Sequence, residues 1–235
     1  MNKITHFSTL LWGQKKIVWN DIHPDVNIIV GINGKGKTTL LDSIYKEYEK
    51  SYHCVFLKSL DNIDKRDNRK KGNALTQELE YYIYDTKTGP SLMKQRTLAY
   101  DSADTSLSEV KEQEEEFLAL LNKMFSQTDK KISLSSLDGP VIIGGKPYPL
   151  EVLSSGEKQL MLILLQVFLS KDKETLVLMD EPENSLHIRW QRELINVLVA
   201  LNPHAQYFIT THSPSIFGDG WGDKITYMDN IFVTE

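Results

Sequence analysis

The chain has 235 residues, 40% of them hydrophobic and 25% charged, with a net charge of −5. That size suits one domain carrying a sizeable insertion, and the acidic balance gives no global push toward nucleic acid. The single cysteine, Cys54, excludes an internal disulfide, so the fold does not depend on an oxidising compartment.

The opening segment "MNKITHFSTLLWGQKK" has no apolar core of signal-peptide length. "VNIIV" (Val26 to Val30) is a continuous apolar, β-branched run, which predicts a strand buried on both faces. It runs into the glycine-rich "GINGKGKTTL". "TTLLDSIYKEYEK" then predicts a helix with Leu40, Leu41, Ile44 and Tyr45 on one stripe. From Lys58 to Ser108 the chain turns polar. "KRDNRKK" (Lys65 to Lys71) carries five basic residues and one acid in seven. It is either a solvated loop or a patch for nucleic acid or an acidic partner. "QELEYYIYD" (Gln77 to Asp85) is expected to be a strand. "SLSEVKEQEEEFLALLNKMF" is expected to be a helix, with Ser106 as its N-cap and Glu109 three residues on. Its apolar side would be Leu107, Val110, Phe117, Leu118, Leu121 and Phe125. Residues 58–135 are read as an inserted subdomain within one domain spanning 1–235.

From Val141 the pattern tightens. "VIIGGKPYPLEVL" suggests a hairpin. "SSGEKQLMLILLQVFLS" predicts a helix; its apolar run Leu160 to Leu169 is far shorter than the ~20 residues a membrane span needs. With no leader and no span in view, a cytoplasmic protein is expected. "TLVLMD" reads as a second buried strand and "HIRWQRELINVLVAL" as an amphipathic helix. "QYFITTHSP" supplies a third strand and "KITYMD" a fourth. Strands alternating with helices predict an α/β fold with a mostly parallel sheet.

Gly31-x4-Gly36-Lys37-Thr38 matches a phosphate-binding loop set between a strand and a helix. Its glycines let backbone N–H groups face phosphate, and Asn33, Gly34, Lys35, Gly36, Lys37, Thr38 and Thr39 are the nucleotide-binding candidates. Lys37 would reach the β- and γ-phosphates, and the Thr38 hydroxyl would ligate Mg²⁺. Asp180, ending a buried strand, would hold the same Mg²⁺ through its water shell. Glu181 beside it is placed to polarise an attacking water. The plain alternative for the last two is a pair of strand-end acids at a surface turn.

Together these motifs resemble an ABC-type ATPase head. Leu176 to Glu181 resembles the Walker B strand with its adjoining glutamate. "LSSGEKQ" resembles the ABC signature, "NSLH" the D-loop, and "THSP" places His212 as the switch histidine. The variants "LSSGEKQ" and "DEPENSLH" differ from transporter cassettes, which usually read LSGGQ and SALD. They look like the SMC, Rad50, RecF and OLD-like branch, in its compact stand-alone form known from bacterial anti-phage systems. The resemblance implies a P-loop fold with an N-terminal β portion and an inserted α/β or helical subdomain. It also implies a homodimer with two ATPs sandwiched head to tail. Ser154 and Gly156 of one protomer would then touch the γ-phosphate held by Lys37 of the other. Glu181 would position or deprotonate the water, and His212 would bind the γ-phosphate. A Q-loop glutamine on the Mg²⁺ site is expected, with Gln77 preferred to Gln95. Adenine contacts are open among Trp12, His23 and the chain near Ser8. The function implied is an ATPase switch acting on a separate effector. The alternatives are a repair-type ATPase on DNA or RNA, a transporter subunit, or an ATP-binding scaffold.

Overall fold

The computed structural model describes residues 3–59, 71–101, 107–134, 139–171, 173–218 and 220–233. Strands β1 (Phe7–Leu11), β2 (Lys15–Trp19) and β3 (Val26–Val30) lead to helix α1 (Lys37–Tyr48) and strand β4 (His53–Leu57). Helices α2 (Lys71–Tyr84), α3 (Leu92–Asp101) and α4 (Leu107–Met124) follow. Then come the short strands β5 (Lys130–Ile132), β6 (Val141–Ile143) and β7 (Lys146–Tyr148). Helix α5 (Ser155–Phe168) precedes β8 (Thr175–Asp180), α6 (Ile188–Leu201), β9 (Gln206–Thr211), β10 (Ile225–Tyr227) and α7 (Met228–Ile231). The chain forms two compact units, one from residues 1–64 with 170–235 and one from 65–169.

The first unit holds a five-stranded sheet in the order β10-β3-β9-β8-β4, every neighbouring pair parallel. Strands β8 and β9 are buried at all six positions, as parallel strands covered on both faces must be. Val30 lies opposite Thr211, and Asp180 opposite Thr210. This register brings the carboxyl ends of β3, β8 and β9 to one edge, where ligands of open α/β sheets bind. The core of the unit joins Leu11, Ile17 and Trp19 of the β1–β2 hairpin to Leu40, Leu41 and Ile44 of α1 and to Leu176, Leu178 and Phe208 of the sheet. Each such side chain, fully buried, stabilises by about 1.5–3 kcal/mol before entropy is counted. The expected stripe of α1 is thus confirmed, with Tyr45 partly buried at its margin.

The second unit is mostly helical, with a small antiparallel sheet β5-β6-β7. The expected hairpin is β6–β7, turning at Gly144 and Gly145, both at positive φ. The strand expected at 77–85 is instead the second half of α2. Leu75, Leu79 and Ile83 are each at most 3% exposed. That i, i+4, i+8 spacing is a helical stripe, and it overrides the β-propensity of the tyrosines around it. Gln77 therefore sits exposed in mid-helix rather than at the start of a strand. Helix α4 buries Val110, Phe117 and Leu121, with Phe125 just beyond it, while Leu107 and Leu118 are half-buried. Ser106 and residues 65–70 of the basic run lie outside the described residues. Along α5, every residue from Leu160 to Phe168 except Gln166 is buried. Among the described residues, no helix is long and apolar enough to cross a membrane.

Candidate functional site

The loop between β3 and α1 is shaped by its glycines. Gly34 and Gly36 have φ of 81° and 91°, a region open to glycine at little cost. A Cβ on Gly36 would stand 2.8 Å from Leu11 Cδ1 and 2.9 Å from the Trp12 ring. The loop and the strand ends beside it enclose a cavity of about 270 Å³. Trp12, Asn33, Gly34, Gly36, Lys37, Thr38, Thr39, Ser59, Asp180 and Glu181 line it. Six of the seven loop candidates read from the sequence are therefore in one wall. Lys35 is the exception: its ammonium turns to Asp229 Oδ1 at 2.7 Å. Of the adenine-contact candidates, Trp12 lines the cavity, while His23 and Ser8 are not among its lining residues.

The polar groups of this wall are already organised. Lys37 is only 5% exposed; its Nζ donates to the Gly31 carbonyl at 2.7 Å and lies 3.2 Å from Glu181 Oε1. A buried ammonium needs acceptors at that range. The Thr38 hydroxyl donates to Asp180 Oδ2 at 2.8 Å, and Thr210 Oγ1 donates to Asp180 Oδ1 at 2.7 Å. Glu181 adopts φ 48°. A non-glycine residue there is strained, and such strain concentrates at functional positions. Its backbone N–H donates to the Thr210 carbonyl at 3.0 Å.

His212 follows β9, with its ring about half exposed. Nδ1 lies 3.6 Å from Glu181 Oε1 and 3.6 Å from Glu183 Oε1. Glu183 was not foreseen from the sequence. Its Oε1 accepts the Thr211 hydroxyl at 2.5 Å and the His212 backbone N–H at 3.0 Å. Asn184 Nδ2 donates to Ser59 Oγ at 3.1 Å, tying the exit of β4 to the turn after Walker B. Thr210 and Ser59 were also missed. A signal for Thr210 existed, since hydroxyls inside an otherwise apolar buried strand must find partners. Ser59 follows a strand whose irregular, half-buried pattern hides it.

Whether Mg²⁺ fits is a question of donor chemistry. Thr38 Oγ1 and Asp180 are paired oxygen donors at the cavity wall. One hydroxyl and one carboxylate, completed by phosphate and water oxygens, is the hard, sparse set Mg²⁺ takes. The residues present therefore fit the ion.

The signature segment belongs to the second unit. Ser154 is the N-cap of α5 and closes a capping box with Glu157. Its hydroxyl accepts from the Glu157 N–H at 3.3 Å, and its own N–H donates to Glu157 Oε2 at 2.6 Å. Lys130 Nζ reaches the same Oε2 at 2.7 Å. Burial opposes the Glu157 charge, but these donors outweigh it and hold the carboxyl below its ordinary range. Gly156 occupies the first turn of the helix, where free N–H groups favour an anion. Gln77, in α2, is not among the residues lining the cavity.

The loop, the parallel sheet and the strand-end carboxylate define a class: a P-loop ATPase of the ABC-head type. Residues 46–218 match the family model described as "AAA domain, putative AbiEii toxin, Type IV TA system", and the chain belongs to that family. The match begins just after the phosphate loop, so the loop geometry stands as separate support. A curated relative, "Retron Vc95 probable ATPase" of Vibrio cholerae serotype O1 biovar El Tor, is 25% identical over 184 residues. That alignment covers 72% of this chain and 32% of the relative, so the chain spans about a third of the relative's length. Among solved structures, an SMC head bound to the C-winged helix domain of ScpA aligns with a TM-score of 0.50 and 16% identity, covering 87% of each chain. That likeness concerns the fold alone.

Proposed function

We propose that the chain is an ATP-binding and ATP-hydrolysing switch subunit that needs Mg²⁺, pairs head to tail with a second copy on ATP, and controls a separate effector. The observation that carries this reading is the convergence of Lys37, Thr38, Asp180 and Glu181 on one cavity. The backbone of residues 33–38 and the Lys37 ammonium would hold the triphosphate. Thr38 and Asp180 would hold Mg²⁺, which when bound supplies positive charge to the phosphate oxygens. Glu181 and Lys37 form an ion pair that an incoming phosphate would open, freeing Glu181 Oε1 to accept from a water. Ser154 and Gly156 would meet the γ-phosphate of a partner protomer from the N-terminus of α5. The energy of ATP is then spent on holding two heads together, with hydrolysis releasing them.

An anti-phage setting is supported by the toxin–antitoxin description of the family and by the retron ATPase among its relatives. The effector would be a separate chain, such as a nuclease or toxin. The test is the variant Glu181→Gln, which keeps the shape of the side chain and removes its charge. With Mg²⁺ and ATP it should sediment as a stable dimer, while the wild type returns to monomer as ATP is consumed. A monomer–dimer ratio unmoved by ATP in both proteins would reject the switch.

A further inference from the structure

We propose that Glu183 is the positioning residue for His212, and that it keeps the imidazole Nδ1 proton away from Glu181. The inference rests on the reading of Glu181 as the group that accepts from water. It starts from a conflict of acceptors. His212 Nδ1 lies 3.6 Å from a carboxylate oxygen on each side, one on Glu181 and one on Glu183. Both distances are too long for a formed hydrogen bond, so the ring is committed to neither carboxylate. If Nδ1–H closed on Glu181, the carboxylate would be occupied by a donor. The neighbouring Lys37 Nζ already lies 3.2 Å from the same oxygen. A second donor would leave little basicity for a water.

Glu183 is built to win that contest. Its side chain is 4% exposed. Oε1 is fixed by the Thr211 hydroxyl and the His212 N–H, which belong to the same short segment as the ring. Oε2 is buried and has no hydrogen-bond partner among the described residues. A buried carboxylate oxygen left without a donor is costly and is rarely retained without a use. Glu181, by contrast, is 21% exposed and is neutralised in part by Lys37. Charge for charge, the less solvated carboxylate, Glu183, attracts the imidazole N–H more strongly. Glu183 therefore selects the Nδ1–H tautomer and aims that proton at itself. Glu181 is left as an acceptor facing the cavity. The two glutamates of "DEPE" then have separate tasks, set by their surroundings.

The variant Glu183→Gln keeps an oxygen for Thr211 and His212 N–H and removes only the charge. Imidazole ¹⁵N spectra of the nucleotide-free protein read the tautomer directly, with His212 assigned among the six histidines by comparison with His212→Gln. The wild type should show Nδ1–H as the main neutral form. Glu183→Gln should lose that preference. Glu183→Asp, which restores the charge, should recover most of that preference. Glu181→Gln should leave the tautomer in place. In steady-state hydrolysis, Glu183→Gln should lower kcat about tenfold with KM within about twofold. An unchanged tautomer in Glu183→Gln would overturn the proposal. So would loss of the preference in Glu181→Gln alone. Should the wild type hydrolyse no ATP, the proposed function falls, and the spectra still decide the role of Glu183.

Discussion

The two units of this chain use polar residues in opposite ways. In the first unit, buried polar groups gather at one sheet edge: Lys37, Asp180, Glu183, Thr210 and Thr211 are all at most 5% exposed. Lys37 and Asp180 among them line the cavity. In the second unit, two buried carboxylates, Glu114 and Glu157, are closed on basic partners. Arg96 grips Glu114 with Nε at 2.9 Å from both carboxylate oxygens and Nη2 at 2.5 Å from Oε2, joining α3 to α4. Lys130 and Ser154 satisfy Glu157 at the start of α5. The contrast separates chemistry from architecture. A closed ion pair away from the cavity specifies packing, whereas a polar cluster with a cavity beside it is arranged for a ligand.

That difference can be sharpened by breaking the closed pairs. Arg96→Ala leaves Glu114 buried without its partner. Removing one member of a buried pair costs about 3–5 kcal/mol, and the partial exposure of Arg96 places this one near the low end. Hydrogen exchange should show lost protection across α3 and α4, with β3, β8 and β9 still protected. Equal loss in both units would contradict the contrast. A smaller effect is expected at Glu157. Its folded pKa is lowered, so its contribution is present above the ordinary glutamate range and is lost as pH falls through the lowered value. Urea melts of wild type and Glu157→Gln should therefore differ at pH 7 and converge well below the ordinary value of 4.5. A gap that persists at low pH would assign the stability to shape rather than charge.

Sequence legibility follows the same division. β3, β8 and β9 were readable because buried parallel strands are continuous apolar runs, and the phosphate loop because its glycines and Lys37 sit at fixed spacing. Asp180 and Glu181 were read from their place at the end of a buried strand, and His212 from the resemblance of "THSP" to a switch segment. Glu183 was not legible, since a carboxylate in a turn carries no sign of burial or of a partner twenty-nine residues away. In the second unit, α2 was misread because tyrosine-rich segments suit strands, while the deciding stripe of Leu75, Leu79 and Ile83 is spread over nine residues. β4 went unread because His53 and Cys54 interrupt its apolar pattern; burial pushes the Cys54 thiol up to about 11. The capping box of α5 was present in the letters as Ser154 and Glu157, but the segment's resemblance to a signature drew attention to phosphate instead.

The central claim is that the cavity beside Gly36 is a working Mg²⁺–ATP site. The most direct measurement is inorganic phosphate release from ATP by the purified chain, with and without Mg²⁺, against Lys37→Ala. Lys37 is buried but stands at the cavity wall, so its loss should spare the fold, checked by an unchanged circular dichroism spectrum. Release should require Mg²⁺ and fall at least about a hundredfold in Lys37→Ala. Release that is indifferent to Mg²⁺ and equal in a folded Lys37→Ala would contradict the account.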